Sequence, residues 1–214
     1  MVQRHRKDKT KVQHKHFYEP KLGHGLKHDP MSSIVGPRVI GWIGTRSAQG
    51  VFNLAPYSFC TMFNYRPPII GFASVGYKDS ARNAIETGVF TWNLATRSLA
   101  EQVNLSSIER PVDEFDLTGL TPQLGERVVA PYVAESPVSL ECKVSQHFEL
   151  TGSDGVGAGS WMVLGEVVAV HIATEHIKDG VYHCASAHPV LRGGGPKDYY
   201  EITDDTLFGL YRPR

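Results

Sequence analysis

The sequence predicts a mainly β protein folded as an antiparallel barrel, closed or split, with a few short helices. Many strand-like runs follow one another, helical patterns are few, and there is no regular βαβ alternation. These features favour an antiparallel barrel over a parallel sheet covered by helices. With 214 residues, 41% of them hydrophobic, the chain can bury one sizeable core, so a single domain is expected.

The first half of the chain is predicted to hold most of the short strands. Val39–Thr45 and Val51–Phe63 are rich in β-branched and aromatic residues, and the turn-forming segment Ser47–Gly50 separates them. Ile69–Ser74 and Val89–Leu94 are also predicted to be strands because they are short, mostly apolar runs.

Two helices are predicted from their terminal residues. Asp79 or Ser80 is a favourable N-cap for a helix that ends before Gly88, a typical C-terminal stop. Ser98 is expected to cap a second helix that ends near Asn104.

The second half is predicted to contain a surface excursion followed by two long strands. Prolines and glycines interrupt residues 106–135, so this segment is expected on the surface. Val138–Leu150 and Trp161–Ala173 are the long strands, and the final strand is predicted at Tyr199–Ile202 or at Leu207–Tyr211.

The glycine-rich segment Gly155–Ser160 resembles a dinucleotide-binding loop but lacks its context. The run that follows, Trp161–Val170, has the β-branched pattern of a strand and not that of a helix. A phosphate on this loop would meet no helix N-terminus, so we interpret the segment as a hairpin turn. Any nicotinamide nucleotide must therefore bind without a Rossmann domain.

The charges are unevenly distributed along the chain. Residues 1–16 hold six of the 22 Lys and Arg residues but one of the 22 Asp and Glu residues, so the remainder is mildly acidic. We expect residues 1–16 to be a solvated basic tail and residues 17–214 to be one domain. A nucleic-acid-binding arm is the alternative, although no aromatic residue interrupts the basic run and the body behind it is acidic.

Cysteine and histidine usage predicts neither disulfides nor a metal site. Cys60, Cys142 and Cys184 form no C-x-x-C pair, and reduced thiols in a cytoplasmic protein are expected. There is no long apolar run and no leader that ends in small residues, so neither a membrane span nor a secretory signal is expected. Histidines near the N-terminus match no ligand template, and metal binding is left as the alternative for His5, His14, His16, His24 and His28.

One stretch combines a polar and aromatic strand with a lysine at the start of a helix. Asn53–Phe59 forms the strand, and Lys78 directly precedes the predicted helix cap. This layout suits a ligand with a flat aromatic head and a phosphate tail, because a lysine and first-turn amides can receive the phosphate. The alternative is a core strand followed by an ordinary helix cap.

A series of motifs runs along the chain: Pro37–Thr45, Asn53–Phe59, Lys78–Ser80, Glu86–Gly88, Leu99–Asn104, Glu135–Pro137, Leu140–Lys143, and Gly165–Val168 leading to His171. In this order and spacing they resemble the flavin reductase-like family of FMN-binding split barrels, with the flavoredoxin-type branch the most similar. The resemblance extends from about Pro20 to Pro213. The departures are Val39, Cys60 and the glycine turn 193–196.

The resemblance implies a Greek-key-type split barrel that binds FMN, or FAD, in a homodimer and takes electrons from NAD(P)H. Lys78 and Ser80 are expected to contact the phosphate, and Asn53 with the following strand amides to contact the ring. His171 is the expected catalytic residue, because a donor near the reduced ring stabilises its negative charge. The flavin-binding residues that the resemblance implies are Asn53, Leu54, Ala55, Pro56, Tyr57, Ser58, Phe59, Thr61, Lys78, Asp79, Ser80, Asn104, His171 and Arg192.

Two classes of function remain open from the sequence. The first is an NAD(P)H:flavin oxidoreductase that supplies reduced FMN to a partner oxygenase. The second is a non-enzymatic, flavoredoxin-like electron carrier, which requires the same pocket. The flavin itself supplies the redox chemistry, so no catalytic triad is needed. Flavin, nicotinamide nucleotides and a second copy are the expected partners, and neither nucleic acid nor a membrane is expected.

Overall fold

The computed structural model describes residues 14–110 and 112–213, which form fourteen strands and four α-helices. The strands are β1 (Arg38–Val39), β2 (Gly41–Arg46), β3 (Phe52–Tyr57), β4 (Cys60–Tyr65), β5 (Pro68–Val75), β6 (Val89–Leu94), β7 (Pro122–Leu124), β8 (Pro131–Val133), β9 (Val138–Thr151), β10 (Gly157–Ile172), β11 (Ile177–Lys178), β12 (Val181–Tyr182), β13 (Val190–Arg192) and β14 (Tyr199–Glu201). The helices are α1 (Met31–Ile34), α2 (Asp79–Thr87), α3 (Ala100–Leu105) and α4 (Glu114–Thr118). Residues 1–13, which include most of the predicted basic tail and His5, lie outside the described residues.

A seven-stranded antiparallel sheet forms the body of the protein. Its spatial order is β3-β2-β6-β9-β10-β5-β4, with α2 in the connection between β5 and β6. Tyr57 on β3 packs against Phe72 on β5 with ring centroids 4.8 Å apart, although these strands are not neighbours in the ladder order. Side chains therefore close the barrel where backbone pairing is split, which confirms the predicted fold class.

Two hydrophobic clusters hold this arrangement together. One cluster lies inside the barrel and includes Phe72 and Phe90, which make an edge-to-face contact. The other lies outside β2 and β3, where Trp42 and Leu54 pack with Phe115 from α4. The second cluster fixes the position of β3 between the barrel and the α3–α4 layer, and this position determines where a ligand can reach the strand.

Most predicted strands agree with the structure, but three segments do not. The glycine-rich segment Gly155–Ser160 was predicted to be a hairpin turn, but its residues 157–160 are the start of β10. The predicted strand Val51–Phe63 is two strands, β3 and β4, separated at residues 58 and 59. Residues 106–135 are not a simple surface excursion, because they contain α4, β7 and β8, and Phe115 and Val133 are buried in the second cluster. The final strand is Tyr199–Glu201, and Leu207–Tyr211 is not a strand.

The predicted helix caps were partly wrong. Lys78, and not Asp79 or Ser80, is the N-cap of α2, and its side chain accepts no capping hydrogen bond. Gly88 ends α2 with φ 73°, the left-handed conformation that glycine adopts without strain. Ser98 lies inside the 3₁₀ turn Arg97–Leu99, which precedes α3 and has Thr96 as its N-cap. Among the described residues, no helix is long and apolar enough to cross a membrane.

Candidate functional site

A cavity of about 540 Å³ lies between β3, the start of α2 and the segment 106–110. We call it the strand–helix cavity. Its volume falls in the range of about 300–1,000 Å³ that is typical of small-molecule sites. The structure brings seven of the predicted flavin-binding residues together here, namely Asn53, Ala55, Pro56, Tyr57, Lys78, Asp79 and Ser80.

The start of α2 presents backbone donors to this cavity. A lysine at the N-cap has only N–H donors, so it cannot satisfy the first-turn amides as Ser or Asp would. Within the described chain, no side chain caps these amides, and the first intrahelical bond recorded runs from Arg82 N to Lys78 O. Free amides beside an ammonium group are the donors that a phosphate requires.

The strand side of the cavity is fixed by buried polar contacts. Asn53 is 8% exposed, and its side-chain amide donates to the Ser80 hydroxyl at 2.8 Å, which links β3 to α2. Burial raises the pKa of Tyr57, with hydroxyls of Ser80 and Ser74 opposing the shift, so its phenol stays protonated near neutral pH. The wall is therefore rigid and offers neutral donors and acceptors to a bound ring.

Sequence reasoning missed the opposite wall of the cavity. Ser106, Ser107, Glu109 and Arg110 line it, and so does Glu114 at the start of α4. The only sequence signal was Asp113, which caps α4 by accepting from the amides of residues 115 and 116. This segment was predicted to be a surface excursion, so its residues were not considered for the site.

Two carboxylates in this wall have different environments. Glu114 is 7% exposed and accepts from Leu54 N at 3.1 Å, and burial raises the pKa of its carboxyl despite that hydrogen bond. Glu109 is exposed and forms an ion pair with Lys78, which lowers the pKa of Glu109. In this structure Glu109 therefore occupies the ammonium that a ligand phosphate would use.

Other predicted flavin-binding residues lie outside the strand–helix cavity. Leu54 is fully buried and does not line the cavity, and its amide is occupied by a hydrogen bond to Glu114. Phe59 and Thr61 line an apolar groove on the other side of β4, where Arg38 lies 5.6 Å from the Phe59 ring centroid. The structure therefore does not bring these three residues to a common ligand with Lys78.

Asn104, Ser58 and Arg192 line a second cavity of about 560 Å³, which we call the basic cavity. Lys197 and Tyr199 complete its polar lining. The two cavities share Pro56 and Ser107, so they are adjacent along the end of β3.

His171 is held by residues that belong to neither cavity. Its Nε2 lies 2.6 Å from Oε1 of Glu141, and its ring stacks on Tyr132 at 4.8 Å between centroids. The strand registers place His171 and Pro56 in one row, separated by four interstrand spacings, or roughly 19 Å along the sheet. His171 is not among the residues that line either cavity of one chain, and its catalytic role stays a prediction.

Glu141 explains why His171 has this position. Glu141 has a fully buried side chain and also accepts from the backbone amides of Glu126, Arg127 and Val128 at 2.6–2.9 Å. Burial alone would raise its pKa, but the hydrogen bonds from His171 and the three amides outweigh burial and lower it. The pair anchors the 126–128 loop to β9 and β10, which is a structural role.

Comparisons with known proteins agree with this architecture. Residues 31–190 match the flavin reductase like domain. An uncharacterized protein of Halalkalibacterium halodurans, BH2278, is 37% identical, with 83% of this chain and 86% of the relative covered. Nitrilotriacetate monooxygenase component B from Bacillus cereus is structurally similar at a TM-score of 0.76 and 27% identity, covering 84% of this chain and 91% of that one. The 2-nitrobenzoate 2-nitroreductase NbaA of Pseudomonas fluorescens gives a TM-score of 0.80 at 26% identity, covering 93% and 96%.

Proposed function

Because this chain belongs to the flavin reductase-like family, we propose that it binds FMN in the strand–helix cavity and acts as an NAD(P)H:flavin oxidoreductase. The observation that carries the proposal is the meeting of Lys78 and the uncapped first turn of α2 with the polar strand Asn53–Tyr57. One end of the cavity offers phosphate donors, and the other offers a rigid, neutral wall. The flavin reductase domain covers both ends.

The residues present fit a flavin phosphate. The first-turn amides and the Ser80 hydroxyl donate hydrogen bonds, and Lys78 supplies a positive charge. The phosphate must displace Glu109 from Lys78, because both anions use the same ammonium group. Asp79 does not compete for Lys78, since its carboxylate is bonded to Arg82. FAD is the alternative flavin at the same phosphate site.

The ring end is held by β3. Pro56 fixes the backbone of the strand, so neighbouring amides and carbonyls keep one geometry. Burial raises the pKa of Tyr57, and the Asn53–Ser80 hydrogen bond links the strand to α2. Bound FMN would supply the redox chemistry as a hydride acceptor, so the protein has only to bind, orient and exclude competing reactions.

The reduced flavin is proposed to serve a partner oxygenase. The support is the similarity to nitrilotriacetate monooxygenase component B, whose name describes one component of a monooxygenase. We also propose a cytoplasmic homodimer of the 17–214 domain. In such a dimer His171 from a second copy would act on the flavin, since His171 of the same chain does not line the strand–helix cavity.

Flavin titration followed by rapid mixing tests the proposal. The fluorescence of FMN should be quenched or shifted when FMN binds the full chain. Addition of NADH or NADPH should bleach the absorbance of oxidised flavin at ~450 nm, a wavelength common to flavins. Absence of FMN binding would refute the site. FMN binding with no reduction by either nucleotide would instead favour the electron-carrier function.

A further inference from the structure

We propose that the basic cavity binds the phosphate groups of the nucleotide that reduces the flavin, with Arg192 and Lys197 as its anion-binding residues. The inference rests on the proposed function, because it concerns the second substrate of that site. It separates Arg192 from the flavin-binding set and adds Lys197, which the sequence analysis did not select.

The lining of the basic cavity is positively charged. Arg192 and Lys197 both line it, and none of the described residues in its lining has a carboxylate. The strand–helix cavity differs, because Lys78 and Arg110 are accompanied there by three carboxylates. An anion that enters the two adjacent cavities therefore meets uncompensated positive charge in the basic cavity.

Two arginines lie next to each other with no ion-pair partner among the described residues. Arg38 and Arg192 are direct partners in the β1–β13 register. Burial and then the charge of Arg192 lower the pKa of Arg38. In the part of the chain that the structure describes, neither guanidinium forms an ion pair, and both donate to backbone carbonyls instead. A bound anion would supply the missing negative charge.

The Arg192 guanidinium is already held in one orientation by its neighbours. Its guanidinium lies 4.9 Å from the Tyr199 ring centroid, and it donates to Asp198 O at 2.8 Å and to Pro196 O at 3.1 Å. A guanidinium has five N–H donors, so three remain for a ligand. A side chain held in this way loses little entropy when an anion binds.

The basic cavity lies beside the proposed flavin site. Pro56 and Ser107 line both cavities, so a ligand with its anionic part near Arg192 can extend along β3 toward the flavin ring. Tyr199, which is 40% exposed, adds an apolar ring surface to the basic cavity. A dinucleotide, which has a charged pyrophosphate between flat rings, matches this combination of charge and apolar surface.

Binding measurements on the FMN-loaded full chain test the proposal without relying on turnover. ADP-ribose and inorganic pyrophosphate are the phosphate probes, and benzoate is the carboxylate probe. Arg192→Gln and Lys197→Gln should each raise the dissociation constant of ADP-ribose about tenfold, which corresponds to about 1.4 kcal/mol. The dissociation constant of FMN should stay within about twofold, and Lys178→Gln, at an exposed residue of β11 that lines neither cavity, should change neither constant.

Several results would overturn the proposal. Unchanged ADP-ribose affinity in both variants would exclude the basic cavity. Equal losses of FMN and ADP-ribose affinity would place Arg192 in the flavin site instead. Binding of benzoate but not of ADP-ribose would identify a carboxylate acceptor and not a nucleotide. Failure of the wild-type chain to load FMN is a separate outcome, since it refutes the proposed function, and ADP-ribose binding to the unloaded chain then decides the basic cavity by itself.

Discussion

Replacement of Lys78 by alanine tests how the proposed phosphate site operates. The Lys78 ammonium lies at the N-cap of α2 and is half exposed. Two unit charges about 4 Å apart interact by about 1 kcal/mol in water and about 4 kcal/mol near a protein surface of lower effective dielectric constant. Half exposure places the Lys78–phosphate contact between these limits. Because Lys78 must first release Glu109, the net loss of FMN binding energy is expected to be about 1–2 kcal/mol.

This loss corresponds to a dissociation constant for FMN that is roughly 5–30 times larger. Fluorescence titration of the full chain measures it directly. Lys143→Ala is the matched control, because it removes the same charge from an exposed side chain on β9 that does not line the strand–helix cavity. The fold should survive in both variants, since Lys78 is half exposed and Lys143 is exposed.

Glu109 supplies the complementary half of the experiment. Glu109→Gln removes the carboxylate that competes with the phosphate, so FMN affinity should increase by less than tenfold. In the Lys78→Ala background the same substitution should have a smaller effect, limited to the repulsion between the Glu109 carboxylate and the phosphate, because the ammonium for which the two anions compete is absent. An unchanged FMN affinity in Lys78→Ala would remove this residue from the site. A Glu109→Gln effect of the same size with and without Lys78 would refute the competition.

Three further predictions follow from the geometry. His171→Ala should slow flavin reduction in rapid mixing more than it weakens FMN binding, whereas a role limited to holding Glu141 would lower thermal stability and leave the reduction rate unchanged. Glu141→Gln should lower the unfolding free energy at pH 7 by about 2–4 kcal/mol, because a buried charged acceptor is lost. Because the pKa of Glu141 is lowered in the folded state, its contribution to stability is present above the ordinary value of 4.5 and is lost as the pH falls through the folded pKa. The unfolding free energies of wild type and Glu141→Gln should therefore converge in acid. A difference that stays constant with pH would contradict this. Gly44→Ala should destabilise by roughly 1–3 kcal/mol or more, because its Cβ would lie 2.1 Å from the Pro131 carbonyl oxygen, whereas Gly209→Ala, with open space around it, should be neutral in the same measurement.

The strand pattern of the chain was sufficient to predict the architecture. Alternation and β-branched runs are local properties, so Val89–Leu94 was predicted at its observed bounds and β9 and β10 were predicted within a few residues. The glycine-rich segment before Trp161 was distinguished from a nucleotide-binding loop for the same reason, since a strand and not a helix follows it, although that strand already begins at Gly157.

The part of the strand–helix cavity that β3 and the start of α2 form was also predictable from the sequence. Asn53, Lys78 and Ser80 lie in two short motifs, and each motif has chemistry that can be read from neighbouring residues. The N-cap was predicted wrongly because Asp79 and Ser80 have the higher capping propensity, whereas the helix begins one residue earlier than propensity favours. That one-residue difference leaves the first-turn amides available to a phosphate.

Only the tertiary structure determined which distant residues share a site. The segment 106–110 and Glu114 reach the strand–helix cavity because α4 packs against β3, a contact about 60 residues apart that no local pattern encodes. Arg38 and Arg192 are adjacent through the pairing of β1 with β13, and His171 is turned toward Glu141 by the register of β10 on β9. Local propensity specifies strands and turns, but long-range pairing decides which charges meet, and so it decides the two cavities on which the proposed function depends.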